Sequence, residues 1–249
     1  MKKKLTIGIL AHVDAGKTTL SEALLYLSGK IRTLGRVDHK NTYLDTNAIE
    51  RERGITIFSK QARFSTNAAD FILLDTPGHM DFSAETERTL ALLDYAILVI
   101  SAPDGVQNHT RTLWQLLEYY SVPTFIFVNK TDICIKFVEE LEADIADTLS
   151  KNCVAFHEKH SKSELDEHLA LVHEEFLDSF LAGEPIDEYD IATLVGERRL
   201  FPCLFGSALK LRGVKELMEL LDEYIIDKKY SESIFGARVY KVSRDQKDR

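Results

Sequence analysis

The stretch LTIGILAHVDAGKTTL, residues 5–20, decides the fold. Residues 5–11 are a short, nearly continuous apolar run, as a strand buried on both faces requires. Polar residues then break the run, and a helical pattern begins at Lys17 and continues to Leu27. A strand that feeds a loop and then a helix N-terminus turns several backbone N–H groups, and the positive end of the helix dipole, toward one point. That point suits a phosphate. The residues from Ala11 to Thr18 follow the pattern GxxxxGK[ST], with Ala11 in place of the first glycine. Ala11, His12, Val13, Asp14, Ala15 and Gly16 would form the nucleotide-binding loop, and Thr19, just after it, would also belong to the nucleotide site. Lys17 would reach the outer phosphates, and Thr18 would offer its hydroxyl to Mg²⁺. Alone the motif is short enough to arise by chance, and a plain strand-to-helix turn competes with it.

The same rhythm continues outward. Apolar runs rich in Ile, Leu, Val or Phe recur at 71–75, 95–101, 124–129 and 201–206. Helical patterns lie between or after them at 82–93, 110–120 and 214–226. Alternation of this kind predicts an α/β domain, a mainly parallel sheet with helices on both faces. Residues 55–64 read less cleanly, as an edge strand. Residues 30–54 are polar and glycine-containing, too long for an ordinary connection, and loops of that length are usually functional or mobile.

Three further motifs fall at strand ends, where open α/β sheets bind ligands. DTPGH covers Asp75, Thr76, Pro77, Gly78 and His79. Here Asp75 would hold Mg²⁺ through water, and Gly78 would let its N–H approach a γ-phosphate closely. NKTD covers Asn129, Lys130, Thr131 and Asp132. The Asp132 carboxylate can accept two N–H bonds from the N1 and N2 edge of guanine, which adenine does not present. Ser207, Ala208 and Leu209 follow the last strand, where backbone N–H groups would meet the guanine O6. Four elements in this order, each at the C-terminal end of its strand, specify a P-loop NTPase of the G-domain type that takes GTP or GDP.

Composition narrows the class. Hydrophobic residues make up 45% and charged residues 29%, the ordinary globular range. No apolar run approaches the ~20 residues of a membrane span. The apolar run after MKKK is broken after seven residues, at His12, too soon for a signal core. The cysteines Cys134, Cys153 and Cys203 are odd in number and without CxxC spacing, which fits a reducing cytoplasm. The net charge of −9 argues against independent DNA binding. That acidity is local: residues 139–199 hold 17 acidic against 5 basic side chains. This region reads as a helical insertion at about 136–199, in two pieces over 137–149 and 163–181. Residues 1–230 are expected to form the G domain. Residues 231–249 read as a linker and the first strand of a following β domain, since FGARVYKV at 235–242 alternates as a strand does. Bland readings hold elsewhere: Lys2 to Lys4 as solvated, Trp114 as helix packing, and His157, His160, His168 and His173 as surface histidines.

With these residues in hand, the chain resembles the G domain of translational GTPases. AHVDAGKTT, RERGITI at 51–57, DTPGH, NKTD and GSAL are all similar to that family's forms, and Ala11 is itself an elongation factor G-like mark. Within the family it looks most like the tetracycline-resistance ribosomal protection proteins. The resemblance implies Thr56 as a further Mg²⁺ ligand and His79 as the residue that reaches the attacking water. It implies Val13 and Ile55 as the apolar gate around that histidine, and a monovalent cation near Asp14. It implies the ribosome as partner and activator, with a ribosomal stalk protein docking at the acidic insertion. A general elongation factor G acting in translocation, and a non-translational G-protein switch, are the competing readings.

Overall fold

In the computed structural model, residues 2–35, 60–76, 83–156 and 162–226 are described. Among these residues seven strands form one sheet: β1 Lys3–Ala11, β2 Lys60–Ser65, β3 Ala69–Asp75, β4 Tyr95–Ser101, β5 Thr124–Asn129, β6 Cys153–Ala155 and β7 Phe201–Phe205. Their order is β2-β3-β1-β4-β5-β7-β6. Every pairing is parallel except that of β2 with β3. The antiparallel β2 is the edge strand expected of residues 55–64, described from Lys60 onward.

The period of two in each strand divides two cores. Tyr95, Ile97 and Val99 of β4, with Phe125 and Phe127 of β5, join one. Ala96, Leu98 and Ile100, with Ile126 and Val128, join the other. Both faces of β4 and β5 are wholly buried, which is why their sequences read as continuous apolar runs rather than alternating ones. The first core is covered by α1 Lys17–Leu27, through Leu20, Leu24 and Leu25, and by the last helix of the described residues, Val214–Tyr224. The second is covered by the helix Asn108–Tyr119, which buries Leu113, Trp114 and Leu117. Truncating one of these side chains to Ala would cost about 2–5 kcal/mol.

In chain order the helices are α1, α2 Ser83–Leu90, α3 Asn108–Tyr119, α4 Val138–Thr148, α5 Lys162–Val172, α6 Leu177–Leu181, α7 Glu188–Gly196 and α8 Val214–Tyr224. The acidic region departs from its expected two-helix form. It holds α4 to α7 and also β6, which pairs with β7 and extends the sheet by one strand. Leu141 and Ile145 of α4 join one core, while Leu169, Ile191, Leu194 and Val195 join the other. The region therefore wraps both faces of the sheet edge.

Trp114 packs as expected, its ring 4.6 Å from that of Phe201 and capped by the Arg198 guanidinium at 5.3 Å. Lys2 and Lys3 are not merely solvated. Lys2 donates to the Thr66 carbonyl at 2.6 Å and Lys3 to the Ile225 carbonyl at 2.5 Å, tying the first strand to the β2–β3 turn and to the end of α8.

Candidate functional site

Because β1, β3, β5 and β7 run parallel, their C-terminal ends open on one edge of the sheet. The register fixes how closely: Ile9 lies opposite Asp75, Ser101 opposite Asn129, and Val128 opposite Phe205. The described parts of the four sequence motifs are thereby brought to one edge by strand geometry.

The loop after β1 turns tightly. The Ala15 N–H donates to the His12 carbonyl at 3.1 Å, and both Asp14 (φ 62°) and Gly16 (φ 97°) adopt left-handed backbone. Gly16 is required twice over, since a Cβ there would also lie 2.2 Å from Asn129 Nδ2. Ala11 and Ala15 are buried, His12 and Val13 half-buried, and Asp14 exposed. No side chain caps α1, and its first turn carries no acidic residue. Its leading N–H groups and dipole are thus left for an external anion.

Lys17 is buried, and its ammonium meets Asp75 Oδ1 at 2.5 Å. Ser21 Oγ donates to the same oxygen at 3.4 Å. Asp75 is fully buried, yet its second oxygen, Oδ2, has no hydrogen-bond donor among the described residues. A buried carboxylate oxygen without a partner is costly, and it suits a cation or a cation-bound water. The half-exposed Thr18 lies one residue beyond Lys17 and Thr19 two, so the hydroxyl and carboxylate oxygens present fit the hard donor set of Mg²⁺. Thr76 is spent structurally, its hydroxyl donating to the Ile9 carbonyl at 2.8 Å. Thr56, Pro77, Gly78 and His79 lie outside the described residues, as do Ile55 and most of 30–54.

At the other end of the edge, Asn129 is buried and bonded through both ends of its amide. Its Nδ2 donates to the Ala15 carbonyl at 2.9 Å, and its Oδ1 accepts from the Ala208 N–H at 2.9 Å. One side chain therefore clips the phosphate loop to the turn after β7. The Ala208 N–H, expected to face a base, is engaged by Asn129. Ser207 is buried and Leu209 is 43% exposed. Thr131 donates to the Gly206 carbonyl from both its N–H, at 3.1 Å, and its hydroxyl, at 3.0 Å. Lys130 adopts φ 64°, which lets the chain reverse so that Asp132 follows at the rim. The Asp132 carboxyl is held below the usual carboxylate range, first by the Ser207 hydroxyl beside it, with burial opposing, and then by its own backbone N–H and by Lys210 nearby. Gly206 permits this packing, since a Cβ there would lie 2.2 Å from the Arg212 carbonyl oxygen.

Two side chains at the site escaped the sequence reading. His109, near the start of α3, sets its ring edge-on to His12 at 5.8 Å. Lys210 lies 3.6 Å from Asp132. Neither belongs to a motif, and both contacts depend on tertiary packing. Among the described histidines of the acidic region, His168 lies 3.9 Å from Glu142, while His173, expected at the surface, is instead buried against Phe176. No group of three or more metal-ligating side chains occurs among the described residues, and no helix among them is long and apolar enough to cross a membrane.

Comparison with known proteins bears on the family and the fold. The chain is 42% identical over 231 residues to the tetracycline resistance protein TetW of Butyrivibrio fibrisolvens, covering 87% of this chain and 36% of that protein. It is 36% identical over 270 residues to TetP of Clostridium perfringens, covering 100% of this chain and 41% of the relative. The chain thus spans about two-fifths of the length of these relatives. A crystal structure of a Thermus thermophilus protein superposes with a TM-score of 0.79 over 90% of this chain and 40% of the other, at 24% identity, a likeness of fold. Residues 2–227 match the family model of the elongation factor Tu GTP-binding domain. The chain belongs to the elongation factor Tu GTP-binding domain family.

Proposed function

We propose that the chain binds GTP with Mg²⁺ and hydrolyses its γ-phosphate by attack of water, as the switch domain of a ribosome-associated factor of the tetracycline-resistance type. The observation that carries the reading is the pairing of buried Lys17 with Asp75, whose Oδ2 has no donor among the described residues. An ammonium and a carboxylate at the mouth of an uncapped helix form a site built for a charged phosphate and its counter-cation. When GTP enters, Lys17 exchanges the Asp75 carboxylate for phosphate oxygens. Asp75 and the Thr18 hydroxyl would be the described residues that hold Mg²⁺. Mg²⁺, when bound, supplies charge neutralisation between the phosphates. Asn129 keeps the phosphate loop and the base loops in register, and Asp132 selects guanine.

Hydrolysis needs positioning more than bond-making by the protein, and His79 is assigned the orientation of the attacking water. Thr56 joins the Mg²⁺ ligands, Asp14 lies near a monovalent cation, and Val13 with Ile55 forms the apolar gate around His79. The ribosome is the activator, and the acidic region at 136–199 meets a ribosomal stalk protein. Residues 231–249 lead into a following β domain, and the protein acts in the cytoplasm. The resistance-protein relatives support the tetracycline reading over general translocation. In the full-length protein, His79→Ala should keep near-normal GTP affinity and lose most ribosome-stimulated turnover. A His79→Ala protein that retains stimulated hydrolysis moves the catalytic role elsewhere.

A further inference from the structure

Lys210 stands at the base end of the site and belongs to none of the nucleotide-binding motifs. It closes the short 3₁₀ turn Ala208–Lys210, where its N–H donates to the Ser207 carbonyl at 3.1 Å. The turn is pinned from outside by reciprocal Ser207–Arg212 backbone bonds, each 3.0 Å. Thr131 is bonded to Gly206 of the same segment by two hydrogen bonds. The backbones carrying Lys210 and Asp132 are therefore held in one hydrogen-bonded frame, and neither can drift from the other without breaking it.

From that frame Lys210 Nζ approaches Asp132 Oδ2 at 3.6 Å, with the lysine side chain 60% exposed and the aspartate side chain 10% exposed. At that separation the ammonium acts as a neighbouring charge rather than a well-formed hydrogen-bond donor. It draws on Oδ2 while leaving the lone pairs of that oxygen open to other donors. The Ser207 hydroxyl, on the same turn, also favours the ionised form of this carboxylate. The carboxylate thus has the Lys210 ammonium as the contact that bears on its orientation. Its terminal torsion is otherwise broad, whereas two parallel N–H···O bonds require both oxygens to lie in the plane of the donor edge.

We propose that Lys210 is a specificity-determining positioning residue whose ammonium, set by the Ser207–Arg212 turn, holds both oxygens of Asp132 toward the N1–H and N2–H edge of a guanine base. The inference rests on the proposed assignment of Asp132 to the base. Guanine offers two donors to the carboxylate and hypoxanthine only one, so the orientation of Asp132 is read in the discrimination between them. The same ammonium favours the ionised carboxylate. Removing it lets Asp132 take up a proton at a higher pH on acidification, and guanine loses its acceptor earlier. With Lys210 gone, the Ser207 hydroxyl and the backbone N–H of Asp132 itself still favour the ionised form, but no cation does.

The test uses the 249-residue chain with GDP and inosine diphosphate as probes, comparing Lys210→Met and Lys210→Arg. Lys210→Met should lose about two- to fivefold in GDP affinity, the range of an exposed ion pair, and less for inosine diphosphate, so the ratio narrows. The acid limb of GDP binding should begin at a higher pH. Lys210→Arg should restore both readouts. An unchanged ratio, or an equal loss for both nucleotides, in Lys210→Met overturns the proposal. Asp132→Asn separates the two claims. If it abolishes guanine preference while Lys210→Met changes nothing, only Lys210 is misassigned. If Asp132→Asn leaves guanine preference intact, the base assignment itself fails.

Discussion

Asn129→Ala is the perturbation that should do the most damage for the fewest atoms. The side chain is 3% exposed and makes two bonds of 2.9 Å, one to the Ala15 carbonyl and one from the Ala208 N–H. Alanine removes both bonds and leaves a buried donor and a buried acceptor without partners. Each lost bond is worth about 1 kcal/mol net, and each orphaned group costs about 1–3 kcal/mol unless water reaches it. Partial hydration of the small cavity brings the total to about 2–4 kcal/mol, a large share of the ~5–15 kcal/mol that stabilises a typical domain. Urea unfolding of the 249-residue chain followed by circular dichroism measures that loss. GDP affinity should fall by about tenfold or more, since 1.4 kcal/mol of lost registration between the two loops already corresponds to tenfold. Asn129→Asp keeps the acceptor for Ala208 but sets a carboxylate against the Ala15 carbonyl, and should be no more stable than the alanine variant. An Asn129→Ala chain within about 0.5 kcal/mol of the parent, binding GDP within about twofold, would falsify the clip.

Two other perturbations probe the surroundings. Gly16→Ala forces a Cβ to within 2.2 Å of Asn129 Nδ2 at φ 97°; strain and the displaced amide should together cost about 2–4 kcal/mol, and a wild-type melting curve for this variant would contradict the geometry. His173 is buried, which pushes its imidazole below the ordinary value, with Glu175 opposing and Arg199 reinforcing the shift. A folded-state pKa below the unfolded value of about 6.5 means the unfolded chain binds more protons between the two, so stability should fall on acidification below about pH 6.5. His173→Phe should make the unfolding midpoint less dependent on pH in that window, and an unchanged slope removes His173 as a contributor.

Much of this architecture was legible because the strands that carry the site are buried on both faces. The central β4 and β5 announce themselves as uninterrupted apolar runs, and their boundaries agree with the structure at both ends. What escaped the sequence had weak local signals. Strand β6 is only three residues, Cys153 to Ala155, inside a region whose charge reads as solvated helix, and it becomes a strand only because β7 offers it an edge. Helix α7 carries two acidic residues in its first turn, Glu188 and Asp190, while Ile191, Leu194 and Val195 are buried. Short helices of this kind gain their stability from tertiary packing rather than propensity. At the site, the motif positions of Lys17, Asp75 and Asn129 were readable from spacing. The engagement of the Ala208 N–H by Asn129, and the approach of Lys210 to Asp132, depend on how two loops meet and have no counterpart in residue order.

The most direct test of the central claim is equilibrium binding of the purified 249-residue chain to GDP, ADP and xanthosine diphosphate, repeated with Asp132→Asn. The parent should bind GDP in strong preference to both others, because only guanine offers two donors to the Asp132 carboxylate. Asp132→Asn exchanges one acceptor for a donor, so it should weaken GDP and strengthen xanthosine diphosphate, whose C2 carbonyl accepts that donor. A parent chain that binds ADP as well as GDP, or an Asp132→Asn chain with its guanine preference intact, would contradict the account.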